Sequence, residues 1–524
     1  MKVLFVWPSK DVFGFKPIGL SLLAGIARSL AWDTRLLDTT EIDFGFVDNT
    51  QSGETAKIFK PVDFSPYNLQ KRKTDLRTRV MEVLEEFNPD CLAFSVLSDE
   101  FQIAGQISNI AKKAYPGLPI IWGGAYPTLN PEKTLEMDYA DFICVGEGLD
   151  AFGDFLKALS GNQHPYDIPN IWAKKNQSII KNNIRPLKQN LDELPCVDWE
   201  IYDRRQFYKP FDGKVYFGGD HMLNWGCPNH CTYCINHFYH ELYNNKYTVR
   251  RYSIRRIIDE LKYLKEKYDL EFFKFHDEDF LVRPLDNLRE LSDAYRQEVN
   301  IPFVTETNSR SVTEERVRLL KDMNCVSISL AIETGDSNLR KNLLNRVDSE
   351  DDVVRAFSLL KDAGIRTSSF NMLAIPFETR ETYQRTIELN QKANAQYPNV
   401  TFFYPFEGTK LREISIDEGF FNPEAPETIV FERDRPALHF EKLSEQELIE
   451  MRNVFVLYVK LPEEYQTFIR RSETLDAVGR ELRKKLLDIY DNTVWDNDGW
   501  YADDSLKSSY LQELREIIQQ ENGN

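Results

Sequence analysis

The sequence has little cysteine for its length, no long hydrophobic run and no basic stretch. Seven cysteines in 524 residues are too few to staple a chain of this size with disulfides. No run of about 18 apolar residues occurs, so no membrane span is expected. The opening MKVLFVWPSK does not read as a signal peptide, because its apolar run is short and Pro8 follows at once. Acidic residues outnumber basic ones, 83 to 65, for a formal net charge of -18. Such a surface repels phosphates and argues against nucleic acid as a partner. There is no internal repeat at solenoid spacing. A soluble, cytoplasmic protein of roughly three domains is expected.

What is present is a rhythm of strands and helices. Val3–Trp7, Arg35–Asp38, Leu92–Leu97, Pro119–Trp122 and Phe142–Val145 read as strands, with helices at Ile18–Leu30, Arg77–Phe87 and Ile103–Ala114. This predicts a doubly wound parallel sheet, Rossmann-like, over residues 1–162, with its ligand beyond the carboxyl ends of the strands. The loops of interest are Pro8–Pro17, Ser95–Glu100, Gly123–Thr128 and Gly146–Gly148. Residues 41–75 read as an irregular insertion. Residues 163–220, rich in Asn, Lys, Asp and Pro, read as a linker with a small hairpin near Asn170–Lys181.

The rhythm returns at 221–415. Strands are expected at Met222–Trp225, Phe272–His276, Phe303–Glu306, Ser327–Ile332, Ser368–Ile375 and Val400–Phe403, with helices such as Ile254–Glu266, Glu314–Asp322 and Thr379–Ala393 between them. Six such strands make a partial (β/α)6 barrel. Residues 416–524 read as a helical C-terminal domain, notably Ser444–Leu457 and Thr474–Tyr490.

Four cysteines, Cys91, Cys144, Cys196 and Cys325, are scattered, mostly in apolar runs, and read as core thiols. The other three crowd into Cys227-Pro-Asn-His-Cys231-Thr-Tyr-Cys234. Three thiolates in a tight loop suit three irons of a [4Fe-4S] cluster and leave the fourth iron without a protein ligand. S-adenosylmethionine needs such an open iron for its amino and carboxylate groups. The competing reading is zinc, with His230 or His237 as fourth ligand, but no second zinc half-site follows.

The C-x3-C-x2-C loop resembles that of the radical S-adenosylmethionine superfamily, and further motifs agree. Phe273–Asp279 is similar to the second-strand acidic motif, which implies that Asp277 or Glu278 accepts from the S-adenosylmethionine amino group. Thr307–Arg310 is similar to the third-strand region, and Arg310 then pairs with the carboxylate. Ser327–Gly335 resembles the family's fourth strand, with Ala331 for the usual Gly, Glu333 as its acid and Arg346 trailing. Asn371–Pro376 resembles the fifth-strand motif ending in Pro376, with Ala374 for Gly. Tyr233 stands where the family has an aromatic beside adenine.

The segments KPIGLSLLAGIARSL, NPDCLAFSVLSDE, PIIWGGAYPT and DFICVGEG resemble the cobalamin-binding domain fused to many of these enzymes. The resemblance spans about residues 1–410. It implies a cobalamin site with Gly123, Gly124 and Gly146 allowing close backbone approach, Ser95, Ser98 and Thr128 hydrogen-bonding, and Glu147 beside them. The D-x-H-x-x-G string that puts a His under cobalt is missing.

The implied activity is cobalamin-dependent radical methylation of an unactivated carbon in a small-molecule substrate. It uses a 5′-deoxyadenosyl radical and methylcobalamin, with an external electron donor such as flavodoxin or ferredoxin. The alternative is a cobalamin-associated radical oxidase, cyclase or ring-rearranging enzyme. A non-catalytic cobalamin sensor is the reading from another class. A methylthiotransferase is disfavoured, because neither a second three-cysteine site nor a terminal RNA-binding domain is seen. Tail aromatics Trp495, Trp500 and Tyr501 line the substrate pocket or pack a helix.

Overall fold

The computed structural model describes the chain except residues 11–15, 45–53, 55, 58–59, 72, 177, 425–434, 495–499 and 523–524. The centre of the Pro8–Pro17 loop, part of the 41–75 insertion and Trp495 lie outside the described residues.

Strands β1 (Lys2–Trp7), β2 (Asp33–Asp38), β3 (Cys91–Ser95), β4 (Ile120–Gly123) and β5 (Phe142–Cys144) form a parallel sheet in the order 2-1-3-4-5. This is the flavodoxin-like doubly wound order, whose ligand crevice lies at the β1/β3 switch point. Helices Ile18–Ser29 and Leu149–Ser160 cover one face, and Leu76–Phe87 and Phe101–Ala114 the other. Strands β1, β3, β4 and β5 are apolar on both faces because both are covered, whereas β2 at the sheet edge is polar and part-exposed.

Residues 163–220 are more structured than expected. Strands β6 (Ile171–Lys175) and β7 (Ser178–Ile180) form the expected hairpin, which extends the first sheet antiparallel to β5. Strands β8 (Tyr208–Phe211) and β9 (Lys214–His221) pair antiparallel and belong to the second sheet.

The second sheet runs β9, β12 (Phe272–Phe275), β13 (Phe303–Thr307), β14 (Cys325–Glu333), β15 (Arg366–Leu373) and β16 (Tyr397–Phe402), all parallel in sequence order, with β8 on the β9 edge. Six parallel strands with helices outside make the partial barrel. Its first strand is β9, upstream of the expected Met222–Trp225. There only Asn224–Trp225 (β10) makes a short antiparallel pair with Arg250–Arg251 (β11). Polar Asp220 and His221 and the pair Gly218-Gly219 interrupt the hydrophobic pattern of β9, which is why the strand was not expected.

The tail folds as helices Glu445–Lys460, Gln466–Ser472, Ala477–Thr493 and Asp504–Asn522, which build a second core against helix Arg380–Ala393 and β16. Trp500 packs on Tyr465 in that core, whereas Tyr501 is 73% exposed. Among the described residues, no helix is long and apolar enough to cross a membrane. Cys91, Cys144 and Cys325 are core thiols as expected, but Cys196 is exposed, because it lies in the irregular segment before β8.

Candidate active site

The three clustered cysteines sit in the loop between β10 and helix Ile235–Leu242. Cys234 is the N-cap of that helix and no side chain caps it. A thiolate there meets the positive end of the helix dipole. His240, one helical turn and more downstream, donates from Nε2 to the Cys227 carbonyl at 2.9 Å, and Asn229 reaches the Cys227 sulfur at 3.5 Å. The loop is fastened from below: Thr232 Oγ1 donates to the Leu343 carbonyl at 2.6 Å and Asn345 donates to the His230 carbonyl at 2.8 Å. Burial pushes the Cys227 thiol up to about 11 and the Cys234 thiol up to about 12. Metal coordination, which takes the thiolate, offsets that cost.

Among the described residues, no three His, Cys, Asp or Glu side chains converge closely enough to hold a single metal ion. A cubane asks for a looser set, one thiolate on each of three irons. The three-cysteine loop fits the [4Fe-4S] cluster on that donor chemistry.

Tyr233, Glu333 and Arg346 come together. The Tyr233 hydroxyl donates to Glu333 Oε1 at 3.0 Å and accepts from Arg346 at 3.1 Å. Arg346 also donates to the Ala331 carbonyl at 2.9 Å and pairs with Asp348 at 3.0 Å. Glu333 is presented by a break in register between β14 and β15, with φ of 63°. Burial raises its carboxyl, and Arg346 opposes that rise. Pro376 is buried between two left-handed residues, Ala374 (φ 62°) and Phe377 (φ 65°). The left-handed turn at Ala374 accounts for the Gly that the family carries there.

The acidic run divides by alternation. Asp277 accepts from the Leu223 and Asn224 amides at 3.0 and 2.8 Å, and Asp279 accepts from Ser311 Oγ at 3.1 Å and from Thr307. Both are internal ties that shape the approach to Cys227. Glu278 lies between them and lines a cavity; desolvation, with Asp277 adjacent, pushes its carboxyl up to about 7. Arg310 is exposed on the turn Ser309–Ser311, and among the described residues no contact ties it to the Tyr233 group.

That cavity, of about 300 Å³, lies where the two sheets meet. One wall is the carboxyl end of the first sheet: Ser95, Gly123, Gly124 and Gly146–Leu149. The other is the barrel side: Met222, Trp225, Gly226, Tyr239, Tyr243, Tyr247, Arg250 and Glu278. Its glycines are of two kinds. At Gly124 (φ 97°) a Cβ would fall 2.8 Å from the Val96 carbonyl oxygen, and at Gly146 (φ 80°) 2.5 Å from the Tyr243 hydroxyl, so the fold itself requires glycine. At Gly19 nothing lies within 4 Å, and at Gly123 and Gly148 a Cβ makes only ordinary contacts. Side chains there would fill the cavity rather than strain the chain, so this cradle fits a bulky planar cofactor such as cobalamin.

Ser95 lines the cavity. Thr128 ties two of its loops, donating to the Gly124 carbonyl at 2.8 Å and accepting from the Gly146 amide at 3.0 Å. Glu147 forms an ion pair with buried Arg250 at 2.7 Å, which locks the two domains together. Ser98 is half-buried in the loop after β3 and is not part of the lining. Sequence reasoning missed Trp225, Tyr239, Tyr243, Tyr247 and Arg250. The spacing of tyrosines at 239, 243 and 247 was the available signal, but it reads equally as a helix packing face.

Known proteins resemble this chain in sequence and in fold. Residues 225–389 match the radical SAM superfamily and residues 61–156 the B12 binding domain. An uncharacterized methyltransferase of Pyrococcus horikoshii is 24% identical over 79% of this chain and 83% of its own length. The cytidylyl-2-hydroxyethylphosphonate methyltransferase of Streptomyces wedmorensis is 22% identical over 81% and 83%. The anaerobic magnesium-protoporphyrin IX monomethyl ester cyclase of Rubrivivax gelatinosus is 21% identical over 64% and 60%. In fold, the chain is similar to the cobalamin-dependent radical enzyme OxsB, with TM-score 0.64 and 13% identity over 94% of this chain and 70% of the other. It is also similar to the radical methyltransferase TsrM of Kitasatospora setae, with TM-score 0.61 and 16% identity over 80% and 76%. The chain therefore carries a B12 binding domain ahead of a radical SAM domain, and it is a radical S-adenosylmethionine enzyme whose cofactors are a [4Fe-4S] cluster, S-adenosylmethionine and cobalamin.

Proposed function

We propose that the enzyme methylates an unactivated carbon of a small-molecule substrate. The observation that carries this reading is the cavity of about 300 Å³ between the first sheet and the barrel, with Glu278 on its barrel wall and the cysteine loop leading from Gly226. When bound, the cluster and S-adenosylmethionine supply a 5′-deoxyadenosyl radical, and cobalamin supplies a transferable methyl group.

The chain's own residues do the positioning. Cys227, Cys231 and Cys234 hold the cluster. Tyr233, Glu333, Arg346 and Pro376 form the wall for the adenosyl part of S-adenosylmethionine. Glu278 accepts from its amino group, while Asp277 keeps the chain before Cys227 in register. Ser95, Gly123 and Gly148 receive the cobalamin, with Gly124, Gly146, Thr128 and Glu147 shaping the loops around it. Apolar Ile18, Leu23, Phe94, Leu149 and Phe152 on the cavity wall exclude water. We assign the cobalamin domain to residues 1–162, the radical domain to 221–415 and substrate shaping to the helical tail 416–524. An external one-electron donor and a cytoplasmic setting complete the reading.

Methylation is favoured over cyclisation because both methyltransferase relatives align over about four-fifths of this chain and the cyclase over less. The test uses S-adenosylmethionine with a deuterated methyl group, dithionite and small-molecule extract under anaerobic conditions. A product carrying the intact labelled methyl supports the proposal. Consumption of an extract component with 5′-deoxyadenosine release, but no label in the product, favours the oxidase or cyclase.

A further inference from the structure

Three tyrosines of the barrel wall, Tyr239, Tyr243 and Tyr247, line the cofactor cavity, and their hydroxyls are used differently. Tyr243 accepts from the Glu147 amide at 2.8 Å. Tyr247 donates to Asn236 Oδ1 at 3.0 Å. Tyr239 has its ring stacked on Tyr247, with centroids 5.3 Å apart, and among the described residues its hydroxyl makes no hydrogen bond. Tyr239 is half-buried on the cavity wall, where a bound group can reach its side chain, and a tyrosine presents its hydroxyl as the polar handle of an apolar ring. Tyr239 stands on helix Ile235–Leu242, directly after Cys234. Across the cavity, Ser95 likewise commits its hydroxyl to no protein group among the described residues.

We propose that Tyr239 is a cobalamin-binding residue contributed by the cluster helix, its hydroxyl donating a hydrogen bond to an amide carbonyl on the corrin periphery. The inference rests on the cobalamin site described above. Burial raises the Tyr239 phenol, so it stays protonated and acts as a donor. Cobalamin carries a ring of acetamide and propionamide carbonyls, the acceptors such a donor requires. Because Tyr239 and Cys234 share one short helix, this bond ties the position of the corrin to that of the cluster. The two cofactors are then held in register by a single element rather than by domain packing alone.

Hydroxocobalamin is the probe. Titrated into the anaerobically reconstituted full chain, it should bind Tyr239→Phe roughly threefold to tenfold more weakly than the unaltered protein, the effect of one hydrogen bond. Iron content should not change. As a second measurement, 3-fluorotyrosine at position 239 leaves the native contacts in place, and its fluorine resonance should shift on addition of hydroxocobalamin. Equal affinity in Tyr239→Phe, or an unmoved resonance while cobalamin binds, overturns the proposal and leaves the cobalamin site standing. Failure of the unaltered protein to bind hydroxocobalamin overturns both.

Discussion

The Tyr233 hydroxyl donates to Glu333 Oε1 across 3.0 Å, joining the cysteine loop to the far end of β14. Tyr233 lies between two cluster cysteines, and Glu333 is held out by a left-handed residue at a register break. The bond therefore sets the height of the loop over the barrel. Tyr233→Phe removes it and leaves the buried Glu333 carboxylate with one donor fewer, at a cost of about 1–3 kcal/mol. Urea unfolding should show this loss. Iron content should be retained, and S-adenosylmethionine affinity should fall.

Asp277 and Glu278 should separate in their effects. Asp277→Ala abandons the Leu223 and Asn224 amides in a buried site, which costs about 1–3 kcal/mol for each unpaired group and should lower cluster yield. Glu278→Gln keeps the fold and the cluster but loses an acceptor in the cavity. Equilibrium dialysis with S-adenosylmethionine and iron analysis distinguish the two. Equal loss of iron in both variants would contradict the division.

Gly19 and Gly124 offer the cleanest test of the cobalamin cradle. Gly19→Phe places a ring where nothing lies within 4 Å, so the unfolding midpoint should hold while hydroxocobalamin binding is lost. Gly124→Ala forces a Cβ onto the Val96 backbone at φ 97° and should cost about 1 kcal/mol or more in stability. Gly124 alone could not discriminate a ligand cradle from a turn, because its glycine is needed by the fold whether or not cobalamin binds.

Glu378 carries a pH signature. It is 4% exposed, with its carboxyl pushed up to about 8 by burial, although the Ala374 amide donates to it. A carboxyl raised in the folded state gives full stability below the ordinary carboxylate range and loses it as pH climbs toward 8. Urea midpoints should therefore fall between about pH 5 and 8 in the unaltered protein and fall less in Glu378→Gln. Parallel profiles would contradict this.

Much of this architecture was legible from the sequence. Strands β1, β3, β4 and β5 of the first sheet stand out as apolar runs because helices cover both faces. Glu314–Asp322 was placed correctly at both ends, helped by the Thr313 cap. The start of the barrel was not legible, because β9 carries Asp220 beside its last residue, buried among Lys16, Lys209 and His276. Charge pairing satisfies that strand end, and no hydrophobic pattern marks it. The β6–β7 hairpin was legible, but β8, an edge strand next to β9, was hidden in sequence that reads as linker. At the site, the motif residues Tyr233, Glu333 and Arg346 were found by resemblance, and the structure brings their side chains together. The aromatic barrel wall was invisible, since its meaning comes from a neighbouring domain that sequence spacing does not reveal.

In the proposed function, Cys227, Cys231 and Cys234 hold a cluster that cleaves S-adenosylmethionine reductively. The most direct measurement is 5′-deoxyadenosine formation by the anaerobically reconstituted protein under dithionite, compared with the variant in which all three cysteines are alanine. The unaltered chain should hold about four irons and release 5′-deoxyadenosine steadily, and the triple variant should do neither. A triple variant that still releases 5′-deoxyadenosine, or an unaltered protein that takes up zinc and no iron, would contradict it.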